Sequence, residues 1–380
     1  MKVLVTGARG FVGKNLCSTL RTIAQGKNPT VRLGQELTVL EYDTDTPPER
    51  LDEWCASCDF VIHLAGVNRP KEQSEFMTGN FGFTSQLLAA LERSGNHCPI
   101  LLSSSVQAAL DNPYGKSKLA GERLLREYGE RTGATVLIYR FVNLFGKWCR
   151  PNYNSVVATF CYNIARGLPI ELNPADPLLR VAYIDDVVAE LLCALQGTPH
   201  RNGEFCEIPL TYEIRLSELA QRLRQFRATR EKRTVPELSD PLTVKLWATY
   251  LSYLPEDALS YPLQTHSDRR GSFTEIFRTQ DRGQFSVNIS KPGVVKGNHW
   301  HHTKNEKFMV ASGVGVVRLR RIDSDDVAEY YVSGEHPEII DIPVGYTHNI
   351  ENLGQNDMVT VMWASECFDP ERPDTYSMEV

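Results

Sequence analysis

Two residues that could transfer a proton, Tyr114 and Lys118, lie four positions apart in the sequence. At this spacing on a helix they share one face. A lysine charge beside the phenol is expected to lower the tyrosine pKa and to hold a ribose hydroxyl, so that the tyrosine exchanges a proton with a carbonyl or an alcohol. Just upstream, Ser104 and Ser105 end an apolar run, where a hydroxyl can polarise the same oxygen. The set predicts oxidation or reduction at a carbonyl carbon.

A glycine-rich turn near the N-terminus predicts a nucleotide site. Gly7, Gly10 and Gly13 follow the first apolar run and precede the first predicted helix. Glycines at this position let the backbone turn tightly and approach a pyrophosphate at the helix N-terminus. The turn supplies the first predicted cofactor-binding residues: Gly7, Arg9, Gly10, Phe11, Val12 and Gly13.

The choice between the two nicotinamide dinucleotides depends on the charges near this turn. An acid that follows the glycines by about 20 residues or more binds the ribose of NAD, and Glu41 and Asp43 both qualify, Asp43 being preferred. Arg9, within the turn itself, can instead pair with the 2′-phosphate of NADP. These residues alone leave both cofactors open.

A second group of chemically active residues lies near the C-terminal end. His299 and His301 would point to the same face of a strand, with Glu306 on the next predicted strand and His348 on a distant one. Imidazole and carboxylate groups together suit Zn²⁺, and also Mn, Fe, Ni or Cu. The spacing predicts a metal site with His301, Glu306 and His348 as ligands and zinc as the first choice of ion.

The segments around these residues indicate two kinds of fold. In the first part of the chain, short apolar runs alternate with helical patterns, which predicts a Rossmann-like, doubly wound parallel sheet of the α/β class. Near the C-terminus, short runs rich in Val, Ile, Phe, Tyr and Thr predict an all-β jelly-roll barrel. The predicted organisation is an α/β domain over 1–250, a connector over 251–264 and a β domain over 265–380.

Composition and charge exclude several classes of protein. The chain has 41 Lys and Arg against 47 Asp and Glu, a net charge of −6 and a pI near 5.9, so it lacks the basic footprint of a nucleic-acid binder. No apolar run approaches the roughly 18 residues of a transmembrane helix, so no membrane partner is expected. The nine cysteines are dispersed along the chain, a usage that favours a reducing cytoplasm.

The N-terminal motifs together resemble those of the extended short-chain dehydrogenase/reductase family, over roughly residues 1–250. Besides the glycine turn and the tyrosine–lysine pair, the resemblance depends on His-Leu-Ala-Gly at 63–66, Arg-Phe-Val-Asn at 140–143 and the run at 181–187. It implies a Rossmann-like fold and a bound nicotinamide cofactor.

This resemblance also assigns roles to individual residues. A catalytic triad of Ser, Tyr and Lys falls on Tyr114 and Lys118 together with Ser105, and Ser104 is the second choice of serine. The remaining implied contacts are Leu64, Ala65, Gly66, Asn80 and Lys118 for the cofactor, and Asn143 and Arg180 for the substrate.

The C-terminal motifs resemble the two cupin motifs and, in part, the deoxysugar 3,5-epimerases. Residues 268–275 and 293–299 match the epimerase pattern, in which His299 falls on the histidine that removes a proton beside a ketone. Those epimerases need no metal, so the predicted ligands depart from their pattern and leave His299 as either base or fourth ligand. Lys296 stands where they have an arginine and is expected to contact the substrate. Candidates for the second proton carrier are Tyr346 and His302.

A reductase followed by a metal-binding, epimerase-like cupin resembles the CapF type of bifunctional nucleotide-sugar enzyme, and this resemblance covers essentially the whole chain. It implies that a UDP-linked 2-acetamido-2,6-dideoxy-4-hexulose is epimerised at C3 in the cupin domain. Reduction at C4 by NADPH, which this resemblance favours over NADH, would then give UDP-2-acetamido-2,6-dideoxy-L-talose. That product is a precursor of UDP-N-acetyl-L-fucosamine in capsule and O-antigen synthesis.

Two alternatives remain open at this stage. The chain could be a 4-keto-deoxysugar reductase only, with the cupin as a binding or dimerisation module, or it could take a dTDP-linked sugar. Because an exposed sheet edge has to be covered, and because reductases and cupins of these types often pair, a homodimer or tetramer is expected.

Overall fold

The chain divides into two compact units by its internal contacts. The first unit contains Met1–Arg224 and Val244–Pro255, and the second contains Gln225–Thr243 and Glu256–Val380. The predicted division of the chain at 251–264 stays a prediction. This computed structural model describes residues 1–31, 33, 36–279 and 281–380.

Strands and helices alternate along the first unit. In the described part of the chain, no helix combines the length and apolar character needed to cross a membrane. The strands are β1 (Lys2–Thr6), β2 (Thr38–Tyr42), β3 (Phe60–His63), β4 (Ile100–Ser105), β5 (Val136–Phe141), β6 (Asn143–Phe145), β7 (Leu178–Tyr183), β8 (Arg201–Asn202), β9 (Phe205–Cys206) and β10 (Tyr212–Arg215). The helices are α1 (Phe11–Ala24), α2 (Glu49–Cys55), α3 (Phe83–Arg93), α4 (Pro113–Thr132), α5 (Val156–Ala165), α6 (Ile184–Leu195), α7 (Leu216–Lys232) and α8 (Pro241–Leu251).

The main sheet of the first unit has seven strands in the order β2-β1-β3-β4-β5-β9-β8. In this sheet β2, β1, β3, β4, β5 and β9 are parallel to one another. Strand β8, at one edge, runs antiparallel to β9. From β1 the chain goes to β2 on one side and returns to β3 on the other. Ligands of open α/β sheets bind at such a switch point, beyond the carboxyl ends of the strands. The glycine turn lies at this end of β1.

Both faces of the sheet are covered by helices because its central strands are apolar on both sides. Val3 and Ile62 pack on one face with residues of α1 and α6. Leu4 and Val61, their strand neighbours, pack on the other face with residues of α2, α3 and α4. Each fully buried side chain of this kind contributes about 1.5–3 kcal/mol. The predicted doubly wound α/β fold is confirmed.

Helix α4, which carries Tyr114 and Lys118, has ends that the sequence specifies. Asn112 caps the N-terminus by accepting a hydrogen bond of 2.8 Å from a backbone N–H three residues on, and Pro113 fits the first turn, where no intrahelical donor is required. Gly133 ends the helix with a φ of +76°, a left-handed conformation that suits glycine. These signals fix where the helix begins and ends.

The second unit contains antiparallel β-structure, as predicted. One sheet has the order β11-β12-β13-β20-β15-β18 and the other the order β17-β16-β19-β14-β21. Side chains from both sheets share one core, which includes Phe308, Val310 and Met358 from the first and Val317 and Ile350 from the second. The strands are β11 (Thr265–Asp268), β12 (Gly271–Arg278), β13 (Gln284–Ser290), β14 (Val295–Trp300), β15 (Glu306–Ser312), β16 (Val314–Arg321), β17 (Val327–Ser333), β18 (Ile340–Ile342), β19 (Tyr346–Asn352), β20 (Met358–Ala364) and β21 (Tyr376–Ser377).

Candidate active sites

The glycine turn between β1 and α1 is too crowded for other residues. Gly7 has a φ of +69°, and a Cβ there would lie 2.7 Å from the backbone nitrogen of Ala65. A Cβ at Gly13 would lie 2.2 Å from the carbonyl oxygen of Gly7. Helix α1 begins at Phe11 with no side-chain cap among the described residues, so its first backbone N–H groups can bind a phosphate.

The loop after β3 lies beside this turn and is held by Asn80. The buried Asn80 accepts a hydrogen bond from Val67 N at 2.9 Å, and its Nδ2 donates to Val67 O at 3.2 Å and to Ser117 Oγ at 2.9 Å. A Cβ at Gly66 would lie 2.7 Å from Asn80 Oδ1 and 3.0 Å from Lys118 Nζ. The structure therefore brings three predicted cofactor-binding residues into contact.

Asp43 and Arg9, the two candidates for recognising the adenosine ribose, meet at the end of β2. The Arg9 backbone N–H donates to Asp43 Oδ2 at 2.7 Å, and the exposed Arg9 guanidinium pairs with Asp45. Glu41 pairs instead with Arg21, at 3.2 Å. Both carboxylate oxygens of Asp43 therefore accept from backbone nitrogens, the second from Thr44 N at 2.8 Å. The Arg9 guanidinium reaches a 2′-phosphate only by leaving Asp45.

Tyr114, Lys118 and Ser105 come together between β4 and α4. The Ser105 hydroxyl accepts from Gln107 N at 3.2 Å and lies close enough to the Tyr114 phenol to lower its pKa. Lys118 is buried, and its Nζ donates to the carbonyl oxygen of Ser103 at 3.1 Å. The same Nζ lies 5.9 Å from the centre of the Tyr114 ring. A serine, a tyrosine and a lysine therefore share one buried corner.

Ser104, the other candidate serine, faces away from the tyrosine. Its Oγ donates to the buried Glu122 Oε1 at 2.5 Å, and Arg140 donates to both oxygens of the same carboxylate at 2.9 and 2.7 Å. Successive side chains of a strand point to opposite faces. This geometry favours Ser105 as the serine beside a bound carbonyl.

Burial determines the direction of the pKa shifts of Lys118 and Tyr114. Burial lowers the pKa of Lys118 to about 8, and the charge of Glu122 opposes that lowering. Burial raises the pKa of Tyr114 above its usual value, although the nearby Ser105 hydroxyl acts in the other direction. The expected lowering of the tyrosine pKa is therefore wrong, because desolvation outweighs the favourable contacts. At neutral pH the phenol keeps the proton that a general acid must donate.

The predicted substrate contacts of the first unit lie side by side on its three-stranded sheet, β10-β7-β6. Asn143 Nδ2 donates to the carbonyl oxygen of Arg180 at 3.1 Å. The Arg180 Nε donates to Thr211 Oγ1 at 3.3 Å. Both predicted residues are exposed, which leaves the rest of the guanidinium accessible to an anionic group.

Four residues of the second unit, His299, His301, Glu306 and His348, place ligand atoms within 4.8 Å of one another. His299 on β14 is paired in register with His348 on β19, and Glu306 begins β15. His301 follows the last residue of β14 instead of lying within the strand. The predicted residues thus converge from three separate places in the sheet topology.

The inward atoms of this cluster have no hydrogen-bond partners among the described residues. Glu306 Oε2 lies 3.2 Å from His348 Nε2 and 3.6 Å from His301 Nε2, yet all three atoms are buried and unsatisfied. Such groups are costly to leave unpaired. Two imidazole nitrogens and a carboxylate oxygen directed at one point form a typical zinc donor set. The residues present therefore fit a divalent cation.

The charges of the cluster also suit a cation. Burial alone would raise the pKa of Glu306, but its contacts with His301 and His348 outweigh burial and hold the pKa well below its usual range. Burial, together with His348 and His301, lowers the pKa of His299 to about 4. Neutral imidazole is the form that binds a metal or accepts a proton.

The other predicted residues of this unit lie outside the cluster. Lys296 Nζ donates to Asn288 Oδ1 at 2.7 Å and to the carbonyl oxygen of Ile289 at 2.8 Å, so protein groups already hold this ammonium. His302 lies with its ring centre 4.4 Å from that of Trp300. Tyr346 packs against the apolar core.

Asp374 contacts the cluster without having been indicated by any sequence pattern. Its carbonyl oxygen accepts a hydrogen bond from His301 Nδ1 at 2.5 Å. The two residues are 73 positions apart. Only the pairing of β14 with β21, near the C-terminus, brings Asp374 to the histidine.

Comparison with known proteins establishes the class. Residues 3–205 match the model of the NAD dependent epimerase/dehydratase family, and residues 266–376 match that of the polysaccharide biosynthesis C-terminal domain. The chain belongs to the NAD-dependent epimerase/dehydratase family, whose members use a nicotinamide cofactor.

Proteins similar to this chain over its full length identify the type of enzyme within the family. The UDP-2-acetamido-2,6-beta-L-arabino-hexul-4-ose reductase of Pseudomonas aeruginosa is 44% identical over 380 residues, which are 100% of this chain and 99% of that protein. The crystal structure of the capsular polysaccharide assembling protein CapF from Staphylococcus aureus is 52% identical, with a TM-score of 0.92 and full coverage of both chains. CapF with the inhibitor 3-isopropenyl-tropolone is 47% identical over both full chains, with a TM-score of 0.87. Within its family, the chain is of the CapF type.

Proposed function

We propose that the chain is a bifunctional enzyme acting on a UDP-linked 2-acetamido-2,6-dideoxy-4-hexulose. The second unit inverts C3, and the first unit then reduces the C4 ketone. The observation that carries this proposal is the cluster of His299, His301, Glu306 and His348. The inward atoms of His301, Glu306 and His348 are buried and lack partners among the described residues. A reductase alone has no use for such a cluster.

The reduction uses the corner formed by Ser105, Tyr114 and Lys118. Bound NADPH supplies the hydride that arrives at C4. The Ser105 hydroxyl donates to the ketone oxygen, and Tyr114 transfers its phenolic proton to that oxygen as negative charge develops there. The buried ammonium of Lys118, 5.9 Å from the phenol ring, stabilises the phenolate that remains.

The inversion at C3 uses His299 as the base. A divalent cation held by His301, Glu306 and His348, with zinc preferred, would act as a Lewis acid toward the neighbouring carbonyl oxygen. His299 is neutral at pH 7 and accepts the C3 proton. Return of a proton on the opposite face inverts the carbon. Because this proton is acidic only beside a ketone, inversion must precede reduction.

Two similarities support this substrate and this cation. The Pseudomonas aeruginosa relative is named for the reduction of an arabino-hexul-4-ose, a 4-keto sugar of the proposed kind. CapF has been crystallised with a tropolone inhibitor, whose two adjacent oxygens are hard donors of the type that divalent cations bind. Reduction would give UDP-2-acetamido-2,6-dideoxy-L-talose, a precursor of UDP-N-acetyl-L-fucosamine.

The decisive experiment is proton NMR of the UDP-4-keto sugar with the zinc-loaded protein in D₂O and without nicotinamide cofactor. We expect the H3 signal alone to disappear while an epimer forms. His301→Ala, loaded in the same way, should leave H3 in place. If H3 persists with the folded wild-type protein, the chain is a 4-ketoreductase whose second unit binds the sugar or mediates association.

The oligomeric state and the compartment complete the proposal. Strand β17 is the edge of its sheet and leaves Tyr330 and Tyr331 42% and 67% exposed, a surface that a second copy would cover. We expect a homodimer, or a tetramer, by size-exclusion chromatography with light scattering.

The nine cysteines, all among the described residues, are free thiols, in keeping with the cytoplasm.

A further inference from the structure

One residue near the C-terminus, Asp374, contacts four consecutive residues beside the metal cluster. Its carbonyl oxygen accepts from His301 Nδ1 at 2.5 Å. Its carboxylate accepts from the backbone nitrogens of His302, Thr303 and Lys304 at 3.0, 2.9 and 3.1 Å. The Thr303 hydroxyl adds a further bond of 3.1 Å. A single residue therefore holds the whole turn that follows β14.

The contact with His301 determines which ring nitrogen carries the proton. A carbonyl oxygen can only accept, so His301 Nδ1 must be the donor. The lone pair then lies on Nε2, the buried atom 3.6 Å from Glu306 Oε2. Histidines that bind metals commonly donate their other N–H in this way, which fixes both tautomer and ring orientation.

The backbone of Asp374 is held in an unusual conformation. Its φ is +40°, in the left-handed region that residues other than glycine seldom adopt. Such a conformation persists only where surrounding contacts require it. Those contacts are the four bonds to the carboxylate and the strand that follows, in which Tyr376 and Ser377 pair with Trp300 and His299.

The residues that follow Asp374 are hydrogen-bonded to β14 and β19. Met378 N donates to Asn298 O at 3.0 Å, and Thr347 Oγ1 donates to Met378 O at 2.5 Å. These bonds reach one residue on each of β14 and β19, the paired strands that carry His299 and His348. The segment 374–378 thus lies along the strands that present the ligands.

We propose that Asp374 is a positioning residue of the metal centre, which fixes the tautomer and direction of His301 through its carbonyl oxygen. The carboxylate keeps that oxygen in place by binding the turn at 302–304. This inference rests on the metal site of the proposed function. Its new content is that the affinity for the metal ion depends on Asp374, a residue that does not bind the ion.

Metal affinity of the full-length protein tests the inference directly. The protein is stripped of metal and titrated with Zn²⁺ against a chromophoric chelator, and the visible spectrum of the Co²⁺ form is recorded. We expect Asp374→Ala to weaken Zn²⁺ binding by about 10- to 100-fold and to change the Co²⁺ bands. Asp374→Asn, which keeps one acceptor oxygen, should recover part of the loss. Asp369→Ala, in the same segment but bonded among the described residues to Glu371 and Arg372, should leave both readouts unchanged.

Each result decides the question. If the wild-type protein binds no Zn²⁺ or Co²⁺, the metal site of the proposed function is wrong. If it binds both and Asp374→Ala gives the wild-type affinity and spectrum, the positioning role is wrong. Thermal unfolding of the full-length protein, followed by circular dichroism, reports whether the second unit of the variant is folded. Should Asp374→Ala fail to fold, Asp374→Asn replaces it, and wild-type affinity and spectrum in that variant would overturn the proposal.

Discussion

In the first unit, the groups proposed for catalysis have protein partners. Ser105 Oγ accepts from the backbone nitrogen of Gln107, and Lys118 Nζ donates to a backbone carbonyl. In the second unit, the corresponding inward atoms of Glu306 and His348 are buried with no partner among the described residues. The two sites thus differ in whether the chain itself satisfies the polar groups that it buries.

This difference indicates how each site works. The first site is complete as a proton donor, because the phenol holds its proton and a buried ammonium lies beside it. The hydride would come from the nicotinamide cofactor. The second site buries unpaired polar atoms at a cost in free energy, which a cation would remove by binding them. We therefore expect proton transfer to organise the first site and a bound ion to organise the second.

Replacing Tyr114 by Phe tests this contrast with the largest expected effect. Loss of the general acid should slow C4 reduction by about 10²- to 10⁴-fold, while H3 exchange continues unchanged. Absorbance of the reduced nicotinamide measures the first activity and NMR in D₂O the second. Tyr128→Phe, on the same helix with its phenol bonded to a backbone oxygen, is the matched control. Loss of both activities in a folded Tyr114→Phe protein would contradict separate sites.

Replacing His301 by Ala should have the reverse effect. Removing one ligand costs several kcal/mol of Lewis-acid stabilisation, so H3 exchange should fall by roughly 100-fold or more. Reduction of a sugar already inverted at C3 should not change. His336→Ala, an exposed histidine outside the cluster, controls for the loss of an imidazole. Equal exchange rates in the wild type and His301→Ala would remove the ion from the reaction.

The pH dependence of reduction should follow Lys118. Its pKa of about 8 in the folded protein means that kcat/KM for reduction falls above pH 8, about tenfold per pH unit.

The stability of the protein changes in the other direction, because an unfolded lysine titrates near 10.4 and binds more protons than the folded one between pH 8 and pH 10.4. The Lys118 contribution to the free energy of unfolding therefore increases as pH rises from about 8 to about 10.4.

The same profile can be shifted through a neighbouring charge. Glu122 raises the pKa of Lys118, so Glu122→Gln should move the alkaline limb of kcat/KM to lower pH. Glu127→Gln, which lies on the same helix and is exposed, should not. An unchanged limb in Glu122→Gln would assign the ionisation to a group other than Lys118.

The smallest effect is expected at the cofactor ribose. If the 2′-phosphate pairs with Arg9, Arg9→Ala should raise the KM for NADPH roughly tenfold and leave that for NADH unchanged. Asp45→Asn frees the guanidinium and should lower the KM for NADPH. Arg21→Ala is a matched control, because Arg21 pairs with Glu41 on the same side of the sheet. An unchanged NADPH/NADH ratio in Arg9→Ala would favour NADH bound through Asp43.

The sequence predicts most of the first site because its parts are local. Tyr114 and Lys118 lie one helical turn apart, and the glycine motif spans seven residues, from the end of a strand into the first turn of a helix. The choice of Ser105 over Ser104 cannot be made from local sequence. It depends on which face of β4 packs against α4, and tertiary packing determines that face.

The second site shows where sequence reasoning stops. The four cluster residues belong to recognisable motifs, but Asp374 lies 73 positions from its partner, in a segment with no periodic pattern. Lys296 illustrates the opposite limit. Its spacing indicates a substrate contact, yet its ammonium donates to Asn288 and Ile289, partners that become visible only when β13 and β14 are placed.

The interleaving of the two units has a genetic consequence. The chain passes from one unit to the other after Arg224, after Thr243 and after Pro255. A gene fragment ending at Pro255 would encode the segment 225–243 without β12, to which Val235 N donates through Arg278 O at 3.1 Å. Neither compact unit corresponds to one uninterrupted stretch of the gene. We therefore expect a truncation at Pro255 to leave the segment 225–243 without the strand it contacts.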